Sequence, residues 1–113
     1  MTEQAFYILT ALVDGPRHGY GIVGEVAELT GGRVDLRVGT LYGVLDRLVA
    51  DGLVELEREE PHQGRLRRYF RLTDPGRDEL AAEAARQAAN ARAATRKLRA
   101  AGHSRPAGVE GAA

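Results

Sequence analysis

The chain has 113 residues, of which 16 are basic and 16 acidic, so its formal net charge at neutral pH is zero. It contains no cysteine, which excludes disulfides and thiolate metal sites and is typical of a reducing compartment. The 43% hydrophobic content suffices for one small core, whereas no apolar run approaches a membrane span and no signal-peptide pattern opens the chain, so a cytoplasmic location is expected.

Two amphipathic segments open the chain. Apolar residues recur at helical spacing over Glu3–Val13, and the turn residues Asp14 to Pro16 stop the pattern. A second segment of the same kind runs over His18–Leu29. At its start, His18 is expected to cap the helix or to pack, and Tyr20 to pack between helices, although its hydroxyl could reach a phosphate.

A short strand over Arg33–Leu36 is the next predicted element, and it would complete a small sheet with a hairpin further along. A third helix follows over Gly39–Ala50, and Asp51-Gly52 ends it with a glycine suited to a left-handed C-cap. On a helical wheel its two sides differ in character. Leu41, Leu45 and Leu48 share one side, while the opposite side carries Gly39, Tyr42, Gly43, Asp46 and Arg47.

The polar side of this third helix suits the major groove of DNA. Gly39 and Gly43 permit close approach, Tyr42 offers a flat ring with a hydroxyl, and Arg47 can reach a phosphate or a guanine edge. The alternative is an ordinary solvated helix face. The helix alone does not decide between the two.

A charged hairpin follows the third helix. Leu53–Arg58 has strand character, Pro61 to Gly64 form a polar turn, and Leu66–Leu72 is the returning strand. Between Arg65 and Arg71 there are four arginines and no acidic residue, so the basic character is local. Such a wing can lie along the phosphate backbone of a duplex. The alternative is that its arginines pair with the opposing glutamates, which are Glu55, Glu57, Glu59 and Glu60.

A long helix is predicted from a Thr73 or Asp74 cap, with Pro75 in its first turn, to about Ala101. It carries a stripe of small or apolar residues at spacings of three and four, including Ala84, Ala88, Ala91 and Leu98. A dimer seam is favoured over a lone surface helix, because a helix of this length extends beyond anything that a domain of this size could cover. Small residues on such a seam gain from close packing rather than from volume. Residues 102–113 have no periodicity and are expected to be a disordered tail.

The predicted fold class is mainly α with a small β-hairpin wing: a winged helix-turn-helix over residues 1–73 and a C-terminal dimerisation helix over 74–101. Its motifs resemble those of the PadR family of transcriptional regulators. The resemblance extends over about residues 5 to 80. It rests on His18-Gly19-Tyr20, Gly39-Thr40-Leu41-Tyr42, Asp51-Gly52-Leu53-Val54, Gly64-Arg65, Arg68-Tyr69-Phe70, and Leu72-Thr73 with Gly76.

The resemblance implies a homodimer, joined by the C-terminal helix with helix one, whose two recognition helices enter successive major grooves. The chain departs from the family pattern in three places. Arg37-Val38 replaces a common Ser-Pro, which weakens the cap of the third helix, and Gly43 replaces a common proline. The chain has no tryptophan, so the stacking of planar effectors on that residue cannot be carried over.

The expected function is therefore a DNA-binding transcriptional regulator, a homodimeric repressor on an inverted-repeat operator of double-stranded DNA. The alternative is a winged-helix module that binds a protein partner. No catalytic site, cofactor or metal site is expected, since the three histidines are widely separated. The expected DNA contacts are Thr40, Tyr42, Arg47, Arg65, Arg67 and Arg68, and a small-molecule effector would meet Phe6 and Tyr7, for which core filling is the alternative.

Overall fold

The computed structural model describes residues 1–104. In that part of the chain, three short helices precede a two-stranded hairpin and a long final helix, and one further short strand joins the sheet. In chain order the elements are α1 (Glu3–Ala11), β1 (Arg17–His18), α2 (Gly19–Thr30), α3 (Val38–Ala50), β2 (Val54–His62), β3 (Arg65–Leu72) and α4 (Asp74–Ser104). The sheet is antiparallel with strand order β1-β3-β2. The predicted fold class is confirmed, and we call the β2–β3 hairpin the wing.

The chain divides into two compact units, Met1–Glu83 and a second that begins at Ala84. The first turns of α4 therefore belong with the winged-helix unit, and Leu80 is part of its core. The helix continues through Gly102 to Ser104, three residues beyond the predicted end. The rest of the predicted disordered tail lies outside the described residues.

The core of the first unit is built by the apolar faces of the three short helices and the base of the wing. Its fully buried large side chains are Ile8, Leu9, Leu12, Ile22, Val26, Leu41, Leu45 and Val54. Each contributes about 1.5–3 kcal/mol by leaving water. The predicted core stripe of α3 is confirmed, because Leu41, Leu45 and Leu48 are all buried.

The helix caps follow from single side chains. The imidazole Nδ1 of His18 accepts a hydrogen bond from the Gly21 N–H at 3.2 Å, which confirms the predicted capping role. Arg37 gives α3 no side-chain cap, as its residue type predicts. Thr73, rather than Asp74, caps α4, since its Oγ1 accepts from the Gly76 N–H at 3.0 Å.

The predicted third strand over Arg33–Leu36 is wrong. Val34 and Leu36 are buried in this segment, but each fills the core singly and no ladder forms. The Val34 N–H instead donates to the Thr30 hydroxyl at 3.1 Å. The strand that completes the three-stranded sheet is instead β1, whose Arg17 and His18 pair with Phe70 and Tyr69 of β3.

The turn of the wing is shorter than predicted. Pro61 and His62 belong to β2, where they pair with Leu66 and Arg65. The loop consists of Gln63 and Gly64, which both have positive φ, 51° and 78°. Two such residues are what a two-residue type I′ hairpin turn requires, so the paired strands extend to the tip.

Thr73 also joins the end of the wing to the turn after α3. Its N–H donates to the Leu53 carbonyl at 3.1 Å, and its hydroxyl donates to the Gly52 carbonyl at 2.7 Å. Gly76 lies so close to this junction that a Cβ there would be 2.0 Å from the Leu53 carbonyl oxygen. The Leu72-Thr73 and Gly76 motif therefore has a structural reason: it joins the first turn of α4, within the winged-helix unit, to the turn after α3.

Candidate nucleic-acid interface

The exposed face of α3 is open rather than packed. A Cβ built on Gly39 or Gly43 would have no atom of residues 1–104 within 4 Å, and Asp46 and Arg47 are exposed on the same side. Packing within the described part of the chain therefore does not require these glycines, although each costs a helix about 1 kcal/mol relative to alanine. Close approach of a partner gives them a reason.

A groove of about 740 Å³ lies between the start of α2, the start of α3 and the β3 strand of the wing. We call it the arginine groove. It brings together four of the predicted DNA contacts, which are Tyr42, Arg65, Arg67 and Arg68, and adds Tyr20. Its remaining lining residues are His18, Gly19, Val38, His62, Gln63 and Leu66, so no described residue of the lining is acidic.

The other two predicted contacts lie on the opposite flank of α3. Thr40 and Arg47 line a second groove of about 800 Å³, together with Gln4 of α1 and Glu79 of α4. At 100° per residue, Tyr42 and Arg47 are about 140° apart around the helix axis. The six predicted residues therefore form two groups that flank the exposed face of α3.

The wing arginines differ in their partners. Arg68 pairs with Glu59 at 3.4 Å and Arg71 pairs with Glu55, so the predicted alternative of cross-strand ion pairs holds for these two. Arg65 and Arg67 have no carboxylate partner among residues 1–104. Exposed pairs are worth only about 0.2–1 kcal/mol, so even Arg68 can exchange its glutamate for a phosphate.

The positive charge of the arginine groove acts on His18. Burial lowers the pKa of this histidine, and the neighbouring Arg67 guanidinium and His62 imidazole lower the pKa further. The neutral form is also the one whose Nδ1 can accept the Gly21 N–H. The ring of His18 stands edge-on to Tyr69, with centroids 5.4 Å apart, which ties α2 to the wing.

The two tyrosines of the groove, Tyr20 and Tyr42, differ in how deeply they are buried. Tyr20 is 72% exposed, so the prediction that it packs between helices is wrong. Tyr42 is the half-buried one: its ring is 6.5 Å from Phe70 between centroids, and its hydroxyl would lie 2.6 Å from a Cβ on Gly19. Helical spacing placed Tyr20 beside an apolar face, but Gly19 opens the space that Tyr42 fills.

Phe6 and Tyr7 form an edge-to-face pair on α1, with centroids 5.3 Å apart. Both are half-buried and pack against the core. The Tyr7 hydroxyl accepts a hydrogen bond from Arg33 at 3.1 Å, and Arg33 also pairs with Glu3 at 2.9 Å. Part of each ring therefore fills the core, and part is exposed to solvent. The role of these two rings in effector binding stays a prediction.

The predicted dimer residues of α4 are exposed in the single chain. Ala84, Ala88 and Ala91 all face solvent, and Leu98 is 71% exposed. Among the described residues, no group of histidines and carboxylates could hold a metal ion. None of the described helices is both long and apolar enough to span a membrane.

Helices packed in this order, with a basic wing beside the exposed face of α3, define the winged helix-turn-helix class. Comparison with protein families agrees, because residues 8–82 match the transcriptional regulator PadR-like family. The chain belongs to this family of transcriptional regulators.

Two curated relatives have no assigned activity. The chain is 43% identical over 82 residues to an uncharacterised 37.1 kDa protein of transposon Tn4556 from Streptomyces fradiae, covering 73% of this chain and 22% of the relative. It is 30% identical over 70 residues to an uncharacterised protein X of Lysinibacillus sphaericus, covering 62% of this chain and 64% of the relative. The matches thus span less than two thirds of either relative.

Solved structures share the fold. A PadR family transcriptional regulator from Eggerthella lenta superimposes with a TM-score of 0.72 at 26% identity, covering 83% of this chain and 80% of the other. Bacillus subtilis PadR, solved in complex with operator DNA, gives a TM-score of 0.63 at 26% identity, covering 72% of this chain and 46% of the other.

Proposed function

We propose that this protein is a sequence-specific DNA-binding repressor that acts as a homodimer. The observation that carries the proposal is the arginine groove beside the open face of α3, with Arg65 and Arg67 free of carboxylate partners in the described chain. In this proposal α3 enters the major groove and the wing follows the backbone. Operator binding by Bacillus subtilis PadR supports it.

Dimerisation is proposed to run through the second unit. The exposed side chains of Ala84, Ala88, Ala91 and Leu98 share one side of α4, and small residues allow two helices to approach closely. A two-fold dimer presents two copies of α3 and therefore needs an inverted-repeat operator. Each half-site alone offers few contacts, so specific binding needs both subunits.

Repression would follow from occlusion of a promoter, and an effector would act at the dimer interface. The exposed parts of the Phe6 and Tyr7 rings are the candidates for an aromatic effector, because ring pairs prefer edge-to-face or offset packing. The second candidate function, a protein-binding module, draws on the ion pairs that neutralise Arg68 and Arg71 on the wing.

The test is to sequence the DNA that the protein retains from fragments of its own genome. The expected result is a small set of enriched fragments that share an inverted repeat. The matched control is the Arg65→Ala, Arg67→Ala double variant, which should lose most of the enrichment. Equal recovery of all fragments, or of none, would favour the protein-binding module instead.

A further inference from the structure

Tyr20 is the most exposed aromatic side chain of the winged-helix unit, at 72%. It lies in the first turn of α2, one residue after a glycine that is buried against Tyr42. The residue before that glycine, His18, caps α2 through the Gly21 N–H and pairs with Tyr69 of β3, so the backbone next to Tyr20 is hydrogen-bonded to the wing. The backbone beside this exposed ring is thus held by hydrogen bonds and packing on β3 and α3.

The lining of the arginine groove says what such a ring would meet. The lining combines Tyr20 of α2 and Tyr42 of α3 with Arg65 and Arg67 of the wing. The chain has as many acidic as basic residues, yet none of the described lining residues is acidic. Hydroxyl and guanidinium donors without competing carboxylates suit a phosphodiester.

We infer that Tyr20 donates a hydrogen bond from its hydroxyl to a backbone phosphate of the operator, in the arginine groove between α3 and the wing. This inference rests on the proposed function and extends it, because it states where one DNA strand passes from the reading helix to the wing. Tyr20 then sets the position of the duplex without reading its sequence. Arg67, which lines the same groove from the wing, neutralises the same stretch of backbone.

The first experiment compares Tyr20→Phe, which removes only the hydroxyl, with the parent protein on the retained operator fragment. Affinity should fall roughly tenfold, as for a hydrogen bond to a charged group, and by the same factor on operators with altered bases. The slope of log affinity against log salt should stay unchanged, because no charge is lost. Leu29→Ala, which truncates an exposed side chain in the last turn of α2, is the control and should bind like the parent.

The second experiment finds the phosphate. Single phosphates of the operator are replaced in turn by neutral methylphosphonates, and each modified duplex is titrated with the parent and with Tyr20→Phe. At one position per half-site, the methylphosphonate should lower the affinity of the parent for the duplex but lower that of Tyr20→Phe much less, since the variant already lacks the hydrogen bond.

Three outcomes are distinguishable. Coupling at one position per half-site supports the inference. The inference is overturned if every methylphosphonate lowers the affinity of the parent and of Tyr20→Phe by the same factor, or if Tyr20→Phe binds the operator as tightly as the parent. Both results leave operator binding intact. If the parent itself binds no DNA, the proposed function fails together with the inference.

Discussion

The junction between the wing and α4 predicts a large loss of stability from a small change, Gly76→Ala. The new Cβ would lie 2.0 Å from the Leu53 carbonyl oxygen, well inside the 3.4–4 Å of an ordinary contact. Relief requires the start of α4 to move away, which breaks the hydrogen bond from Thr73 N–H to Leu53 and weakens the cap on the residue 76 N–H.

The magnitude follows from three effects. The broken hydrogen bond and the weakened cap together cost up to about 2 kcal/mol, and overpacking adds about 1–3 kcal/mol. Alanine returns up to about 1 kcal/mol of helix propensity. The net loss of unfolding free energy is thus up to about 4 kcal/mol, and a loss of about 2 kcal/mol already lowers the melting temperature of a domain of this size by roughly 10 °C.

Thermal unfolding followed by circular dichroism measures this loss, at one protein concentration because dimers melt in a concentration-dependent way. Gly24→Ala is the matched control, since Gly24 lies within α2 and no atom of the described residues is within 4 Å of an added Cβ. This variant should unfold at the same temperature as the parent or at a higher one, because alanine in a helix can add up to about 1 kcal/mol to the free energy of unfolding. If both variants melt like the parent, the argument for the junction fails.

Three further predictions concern charge, assembly and pH. Arg67→Ala should lower the slope of log affinity against log salt by about one, whereas Arg71→Ala, already paired with a glutamate, should change it little; equal slopes for both would refute the distinction. Ala88→Arg should give folded monomers in sedimentation while Ala93→Arg, about 180° from the predicted seam, stays dimeric; a dimeric Ala88→Arg would place the seam elsewhere. Because the pKa of His18 is lowered in the folded protein, the unfolded chain binds more protons. The melting temperature should therefore fall as the pH drops through about 6.5, the ordinary pKa of histidine. His18→Asn supplies a helix cap that does not titrate, so it should weaken this pH dependence.

The helices were predictable because their periodicity extends over several turns. In α3, Leu41, Leu45 and Leu48 repeat the same contact with the core, and all three are buried. The strand prediction over Arg33–Leu36 failed because two alternating apolar residues look the same whether they join a ladder or fill the core singly. Strand β1 has only two residues and depends on where β3 lies, so no local pattern indicates it.

The candidate site could be predicted as a pair of elements, α3 and the wing, but the partners and exposure of its individual residues could not. Which wing arginines find glutamates depends on the register of β2 and β3, and a bulge between Leu56 and Arg58 shifts that register. Local sequence does not place such a bulge. The exposure of Tyr20 likewise depends on the space at Gly19, which Tyr42 enters from another helix.

The most direct test of the central proposal is hydroxyl-radical footprinting of the parent protein on a retained genomic fragment. A dimer that reads DNA with two copies of α3 should protect two patches related by a dyad, with half-site centres on the order of 10 base pairs apart. Protection should disappear in the Arg65→Ala, Arg67→Ala double variant. A single protected patch without a dyad, or protection that the double variant retains, would contradict the proposal.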